Sequence, residues 1–286
     1  MSSKTIVITG ASDGIGKAAA KELVGLGHEV IIVGRNPQKT KKVAEELNCK
    51  YYLADFADFS QVVSLAHELN KLERIDVLAN NAGAVIPNFR TTIDRNEMTF
   101  QVNVLSPFLL TYLLLPKLKE SHATVIQTSS VAANLFSRYD LDKLNITDFS
   151  IQGISYDAFR EYGNAKLCNI LFTRWLDHEY REKGINSVAF EPGVVRTNFG
   201  AEMKGIVKLG YHTPIKYLFT ISSEKSAKRL VWLATSTADE DFECGKTYSN
   251  PAKEMNVKFE DPYLEEAQKL WNKCYSITRE IIEKEK

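Results

Sequence analysis

Paired cysteines are missing from this 286-residue sequence: Cys49, Cys168, Cys244 and Cys274 lie far apart and form no CxxC. That excludes a disulfide framework and a thiolate metal site, and it predicts reduced, mostly buried thiols in a cytoplasmic protein. Histidine is equally sparse, five residues with no HExxH, so no metal site is expected. Charge of one sign is not in excess either. The 36 basic and 36 acidic side chains cancel, which leaves no bulk field to draw in nucleic acid. Long hydrophobic runs are lacking. The stretch "VLSPFLLTYLLLP" (104 to 116) is broken by Ser106, Pro107 and Thr111 and falls short of the roughly 20 residues of a membrane span. No integral membrane segment is expected, and a strand beginning near residue 4 leaves no room for a signal peptide. Finally, no stretch rich in Pro, Gly or Ser divides the chain, so residues 1–286 are expected to form a single domain.

What the chain does contain is a regular alternation of β-branched runs and helical apolar periods. "KTIVIT" (4 to 9), "EVIIVG" (29 to 34), "KYYLAD" (50 to 55), "IDVLAN" (75 to 80), "ATVIQTS" (123 to 129), "INSVAF" (185 to 190) and "GKTYS" (245 to 249) predict seven strands. Helices are expected between them, including a long one from about Asn96 to Lys119. Strands separated by helices pair in parallel through right-handed crossovers. The expected fold is therefore α/β, a doubly wound, mostly parallel sheet of the Rossmann type. Residues 131–154 and 194–220 exceed ordinary loop length and start at strand carboxyl ends, where such sheets bind ligands. The apolar 198–220 stretch reads as a substrate lid or as short helices packed on the core. "PYLEEAQKLWNKCYSITREIIEK" reads as a closing C-terminal helix.

"TGASDGIG" (9 to 16) follows the first strand and opens the first helix. Gly10 permits a tight turn, Gly14 lets backbone approach a pyrophosphate, and Gly16 clears the crossing of helix and strand; Ser12, Asp13 and Ile15 complete the loop. A turn that merely needs glycines is the plainer reading. Arg35, ending the second strand, suits a ribose 2′-phosphate, with Lys39 in support, unless it is only a solvated loop charge. Hence NADP(H) is preferred, with NAD(H) as the alternative. Asp55 and Phe56 end the third strand at the adenine side, though Asp55 also suits a helix cap. Asn81, Ala82 and Gly83 end the fourth, with Asn81 equally able to serve the turn alone. Tyr162 and Lys166, in "YGNAK", share one helix face at i and i+4.

In this order and at these strand ends, "TGASDGIG", Asp55, "NNAG", Asn103 in "VNVLSPF", Ser129-Ser130, "YGNAK" and "PGVVRT" (192 to 197) resemble the short-chain dehydrogenase/reductase family over residues 4 to about 250. "NVLSPFLLT", "AKLCNILFTRWL", "PGVVRTNF" and "AQKLWNKC" are similar to its retinol dehydrogenase-like branch and to protochlorophyllide reductases. Two departures stand out. Ser106 replaces a common glycine, and Glu191 replaces the histidine that the branch carries before Pro-Gly.

The resemblance implies an enzyme that interconverts an alcohol and a carbonyl, with NADP as the expected acceptor. It makes Tyr162 the acid/base, Lys166 the group that lowers the phenol's pKa and holds the nicotinamide ribose, Ser130 the donor to the carbonyl oxygen, and Asn103 the holder of a water. Ser129 is the rival hydroxyl. Pro192, Gly193, Val195 and Thr197 would border the nicotinamide. The substrate is expected to be an apolar or aromatic small molecule, with Phe136, Phe149 and Tyr156 on a wall opposite the lid. A homo-oligomer is compatible with the sequence. The competing readings are a catalytically silent NADP(H) sensor or scaffold, and a sugar-nucleotide epimerase or dehydratase.

Overall fold

The computed structural model describes residues 3–145, 155–193, 221–250, 253–257 and 263–285. Among these the chain opens with β1 (Thr5–Thr9), α1 (Gly14–Gly25), β2 (Glu29–Gly34), α2 (Pro37–Leu47), β3 (Lys50–Leu53), α3 (Phe59–Asn70) and β4 (Val77–Asn80). It continues through α4 (Met98–Phe100), a π-turn (Gln101–Leu105), α5 (Ser106–Leu113), α6 (Leu115–Glu120), β5 (Thr124–Thr128), α7 (Ala132–Leu135) and α8 (Ala158–Tyr180). β6 (Asn186–Phe190), α9 (Ser223–Thr235), β7 (Thr247–Asn250), β8 (Lys253–Glu254) and α10 (Tyr263–Lys284) complete it.

The strands form one sheet in the order β3-β2-β1-β4-β5-β6-β7-β8. Every pairing through β7 is parallel. The doubly wound expectation holds, and the strand number needs correcting from seven to eight. β8 has two residues and pairs antiparallel to β7 across a register shift at Tyr248/Asn250, so it is too short to show an alternating pattern. The order reverses at β1, which places β1 and β4 side by side and opens a crevice at their carboxyl ends.

One face of the sheet packs beneath α3, α5, α8 and α10, the other beneath α1, α2 and α9. The expected C-terminal helix closes the first face. Trp271 of α10 meets the Phe108 ring edge-on at 4.8 Å and stacks on Phe172 at 5.5 Å. These contacts fix α8 between the sheet and α10, and α8 carries the Tyr-Lys pair. Among the described residues no helix is long and apolar enough to cross a membrane.

The long helix expected from Asn96 to Lys119 is four pieces. Ser106 N donates to Gln101 O, an i+5 bond, and Pro107 has no N–H with which to restore the ladder. Pro116 breaks the helix again at Leu114 for the same reason. The segment after β5, expected as a loop, contains α7 and one short 3₁₀ turn, Leu141–Lys143, in its described part.

Candidate active site

The crevice begins where β1 turns into α1. Gly10 has φ +68°, and a Cβ there would lie 2.8 Å from the Ala82 Cα. A Cβ at Gly16 would meet Asn81 Nδ2 and Gly10 O, each at 2.7 Å. The loop therefore lies against the end of β4 as backbone on backbone, which only glycine allows at these two positions. Asn81 locks the contact: its Nδ2 donates to Thr9 O at 2.9 Å, while the Asn81 and Ala82 amides both donate to Thr9 Oγ1 at 3.0 Å. This is the turn role allowed for Asn81. Asp13 caps α1 by accepting from Gly14 N at 2.8 Å and pairs across the exposed rim with Lys39 Nζ at 3.7 Å. Ser12 packs beneath Gly34, where a Cβ would lie 3.0 Å from Ser12 Cβ. Ile15 faces the core. Arg35 is exposed at the same rim and makes no ion pair with another described residue. A glycine cradle at a helix N-terminus, with two cations at its rim, fits a dinucleotide.

The third strand's end is held differently. Asp55 accepts from Ala57 N at 3.0 Å, a local turn bond. Phe56 is buried, and its carbonyl accepts from Ser106 Oγ at 2.6 Å and from Gln101 Nε2 at 3.4 Å. Ser106 is thus no idle departure from glycine. Its hydroxyl ties the end of the π-turn to the β3–α3 loop.

That π-turn presents Asn103, whose Nδ2 donates to Ala84 O at 2.9 Å and Thr99 O at 2.8 Å. A Cβ at Gly83 would lie 2.5 Å from Asn103 Oδ1 and 3.1 Å from Lys166 Nζ. Gly83 is therefore the point where the amide and the amine converge. Glu97 steadies the approach to the turn by accepting from Thr99 N and Phe100 N, and its burial raises its carboxyl pKa above the ordinary value.

Lys166 is buried and donates to Thr128 O at 2.9 Å. Thr128 O also accepts from Asn169 Nδ2 at 3.1 Å. Loss of water pushes the Lys166 amine down to about 7. Its Nζ lies 5.4 Å from the centre of the Tyr162 ring. Tyr162 is buried against Val85 and Ala132. Gly163 explains how α8 comes so close, since a Cβ there would lie 2.8 Å from both Ala132 O and Ser137 N. Asn164 Oδ1 accepts from Arg138 N at 2.7 Å, so each residue of "YGNAK" has a packing or bonding reason for its identity.

The two serines after β5 differ sharply. Ser129 is fully buried and donates to Lys166 O at 2.8 Å. Ser130 is partly exposed and accepts from Ala132 N at 3.2 Å, which leaves its own proton to donate. After β6, Pro192 O accepts from Ser226 Oγ, and Gly193, at φ +78°, donates its N–H to Glu191 Oε2 at 2.7 Å. Val195, Thr197, the 198–220 segment and Phe149 lie outside the described residues. Phe136 is exposed and packs on Phe159, while Tyr156 donates to Ile86 O at 2.9 Å. Spacing alone shows neither the Phe56 carbonyl anchor nor the bond from Arg229 Nη1 to the Glu191 carbonyl, because both join residues about 40 to 50 positions apart.

Known proteins resemble this chain over most of its length. The short chain dehydrogenase family model matches residues 4–139. Retinol dehydrogenase 13 of Homo sapiens is 33% identical over 280 residues, covering 94% of this chain and 82% of that protein. The chain belongs to the short-chain dehydrogenase/reductase family. Within it, retinol dehydrogenase 14 of Homo sapiens is 32% identical, covering 95% of this chain and 85% of that one, which supports a retinol dehydrogenase-like branch. The NADPH-bound carbonyl reductase from chicken fatty liver superposes with a TM-score of 0.66 at 23% identity, covering 89% of this chain and 99% of that one. As a member of this family, the chain is an oxidoreductase that uses a nicotinamide dinucleotide on an alcohol/carbonyl pair.

The burial of Lys166 has a measurable consequence. The amine's folded pKa is lowered, so between about 7 and the ordinary 10.5 the unfolded chain holds a proton that the folded chain does not. Folding is penalised at neutral pH, and the penalty shrinks as pH rises through that window. Unfolding free energy should therefore rise by about 2 kcal/mol from pH 7 to 9 relative to Lys166→Met, the scale of a shift of this size over two pH units. Urea unfolding of both proteins across this range checks it; parallel profiles would contradict the desolvated amine.

Proposed function

We propose that this protein is an NADP(H)-preferring oxidoreductase that interconverts an alcohol and a carbonyl on an apolar or aromatic small molecule, with Tyr162 as the acid/base. The observation that carries the reading is the convergence of three groups. The Lys166 amine, in a water-poor site, lies 5.4 Å from the Tyr162 ring centre and borders Gly83, as Asn103 Oδ1 does. A protein that only bound a dinucleotide could use the amine to hold a ribose but would have no need of an acid/base hydroxyl beside it. The names of the retinol dehydrogenase relatives favour an apolar alcohol as substrate. Residues 1–286 are read as one functional unit, and the scattered cysteines suit a cytoplasmic setting.

The cofactor would lie along the crevice already described. The Gly10–Gly16 loop would take the pyrophosphate, Arg35 and Lys39 the 2′-phosphate, and Asp55 with Phe56 the adenine. Lys166 would hold the nicotinamide ribose, with Pro192, Gly193, Val195 and Thr197 around the carboxamide. When bound, the nicotinamide supplies or takes up the hydride.

The chain's own groups handle the oxygen and the proton. Ser130 donates to the substrate oxygen and stabilises negative charge as it develops there. During reduction the Tyr162 hydroxyl gives its proton to that oxygen; during oxidation it takes the proton back. A free phenol loses its proton only near pH ~10, so the neighbouring amine is needed to make this exchange feasible at neutral pH. With a pKa of about 7, Lys166 can gain or lose a proton close to physiological pH, and Asn103 would connect it to water.

The acid/base assignment is tested by Tyr162→Phe. Turnover of the best carbonyl in a panel of aldehydes and ketones should fall by about 10²- to 10⁴-fold, while NADPH affinity measured by titration stays near its original value. Turnover close to that of the unaltered protein would place the acid/base elsewhere. The cofactor preference rests on Arg35. NADPH should bind more tightly than NADH, and Arg35→Ala should narrow the gap by roughly 1–3 kcal/mol, the scale of a charge-assisted contact. Equal affinities in the unaltered protein would refute it.

A further inference from the structure

Glu191 stands where the branch it resembles carries histidine, and the structure gives this carboxylate a defined environment. It is buried at the end of β6, beside the end of β5, where Ser129 N donates to Phe190 O at 2.8 Å. One oxygen, Oε2, accepts from Gly193 N at 2.7 Å and so closes the Pro192–Gly193 turn on itself. The other, Oε1, faces Arg229 Nη1 of α9 at 3.6 Å. The same Nη1 donates to the Glu191 carbonyl at 2.8 Å, and Nη2 donates to Asn250 Oδ1 at 3.1 Å. Gly193, at φ +78°, holds a backbone conformation that favours glycine, and a Cβ there would lie 2.8 Å from Ile221 Cδ1 and 3.2 Å from Arg229 Nη1.

A neutral side chain would suffice to cap Gly193 N. A buried carboxylate matched to a part-buried guanidinium is a more costly arrangement, because the carboxylate loses most of its water and the guanidinium some of it. Such a pair also places a negative charge in the turn itself, with its positive partner reaching the same turn from α9. The turn is the part of the chain assigned above to the nicotinamide. That ring is positive when oxidised and neutral when reduced, so a carboxylate held nearby in a poorly solvated site distinguishes the two forms.

We propose that Glu191, oriented by Arg229, is a positioning residue whose charge favours the oxidised cofactor over the reduced one. The proposal rests on the nicotinamide reading of the crevice. It differs from a structural cap in one respect: a cap supports both redox forms equally, whereas a charge does not.

The test is the ratio of dissociation constants for NADP⁺ and NADPH, measured by titration without turnover. Glu191→Gln keeps an oxygen for Gly193 N and removes the charge, leaving the Arg229 cation. It should weaken NADP⁺ about five- to tenfold more than NADPH, the scale of one charge acting through a partly polar site. Arg229→Gln removes the opposite charge and should move the ratio the other way. Opposite shifts support the proposal, and either variant suffices if the other does not fold. If both should fail to fold, the unaltered protein carries the test by itself: a bound NADP⁺/NADPH midpoint potential below that of the free couple supports the proposal, and one at or above it overturns the proposal. Equal weakening of both forms, or an unchanged ratio, reduces Glu191 to a cap and overturns it. If the unaltered protein binds neither form, the cofactor reading fails first and the proposal with it.

Discussion

The hydrogen bond from Lys166 Nζ to Thr128 O is the contact on which the rest of the site depends. An amine excluded from water must have acceptors within reach, and a strand's last carbonyl can supply one only if the helix bearing the lysine lies directly over the strand's end. Gly163 allows that approach by letting α8 touch the main chain of α7, and the Trp271 cluster of α10 presses α8 down from the far side. Tyr162, one turn before Lys166 on the same face, is then fixed against Val85 and Ala132 without further provision. Packing energy spent far from the site thus sets the position of the ionisable groups.

Asn103 illustrates a second constraint. An ordinary helix through residues 96–119 would not need the i+5 bond that the chain makes between Ser106 and Gln101. The widened turn lets Asn103 bond outward to Ala84 O while keeping a bond to Thr99 O. Its two ends are anchored to one carbonyl, that of Phe56, by Gln101 and Ser106. The β3–α3 loop and the amide next to Lys166 are therefore connected through two buried side chains, and a change in that loop would be felt at Asn103.

The parts legible in the sequence are those governed by local rules. Strand runs, the glycine loop, the 3.6-residue period of α8 and α10, and the order of motifs all depend on neighbours a few positions apart, and they led to the doubly wound sheet and to the family. Where long-range partners decide, the reading fell short. A helical apolar period does not reveal an i+5 bond, so the π-turn was hidden inside an expected helix. β8 is two residues long and exists through its pairing with β7. Ser106 and Glu191 were visible as departures from a pattern, but the carbonyl of Phe56 and the guanidinium of Arg229 that explain them could be found only in three dimensions. Ser129 and Ser130 are adjacent and chemically identical; the family resemblance favours Ser130, and the structure separates them by burial and by the bond from Ser129 to Lys166 O.

The central claim is that folding desolvates the Lys166 amine and brings its proton exchange into the neutral range beside Tyr162. The most direct measurement is an NMR titration of the lysine side-chain nitrogens, with Lys166 assigned by its absence in Lys166→Met. The account predicts a midpoint at about 7 for this one amine in the cofactor-free protein. A midpoint within about one unit of the ordinary lysine value would show that water reaches the amine and would contradict the account.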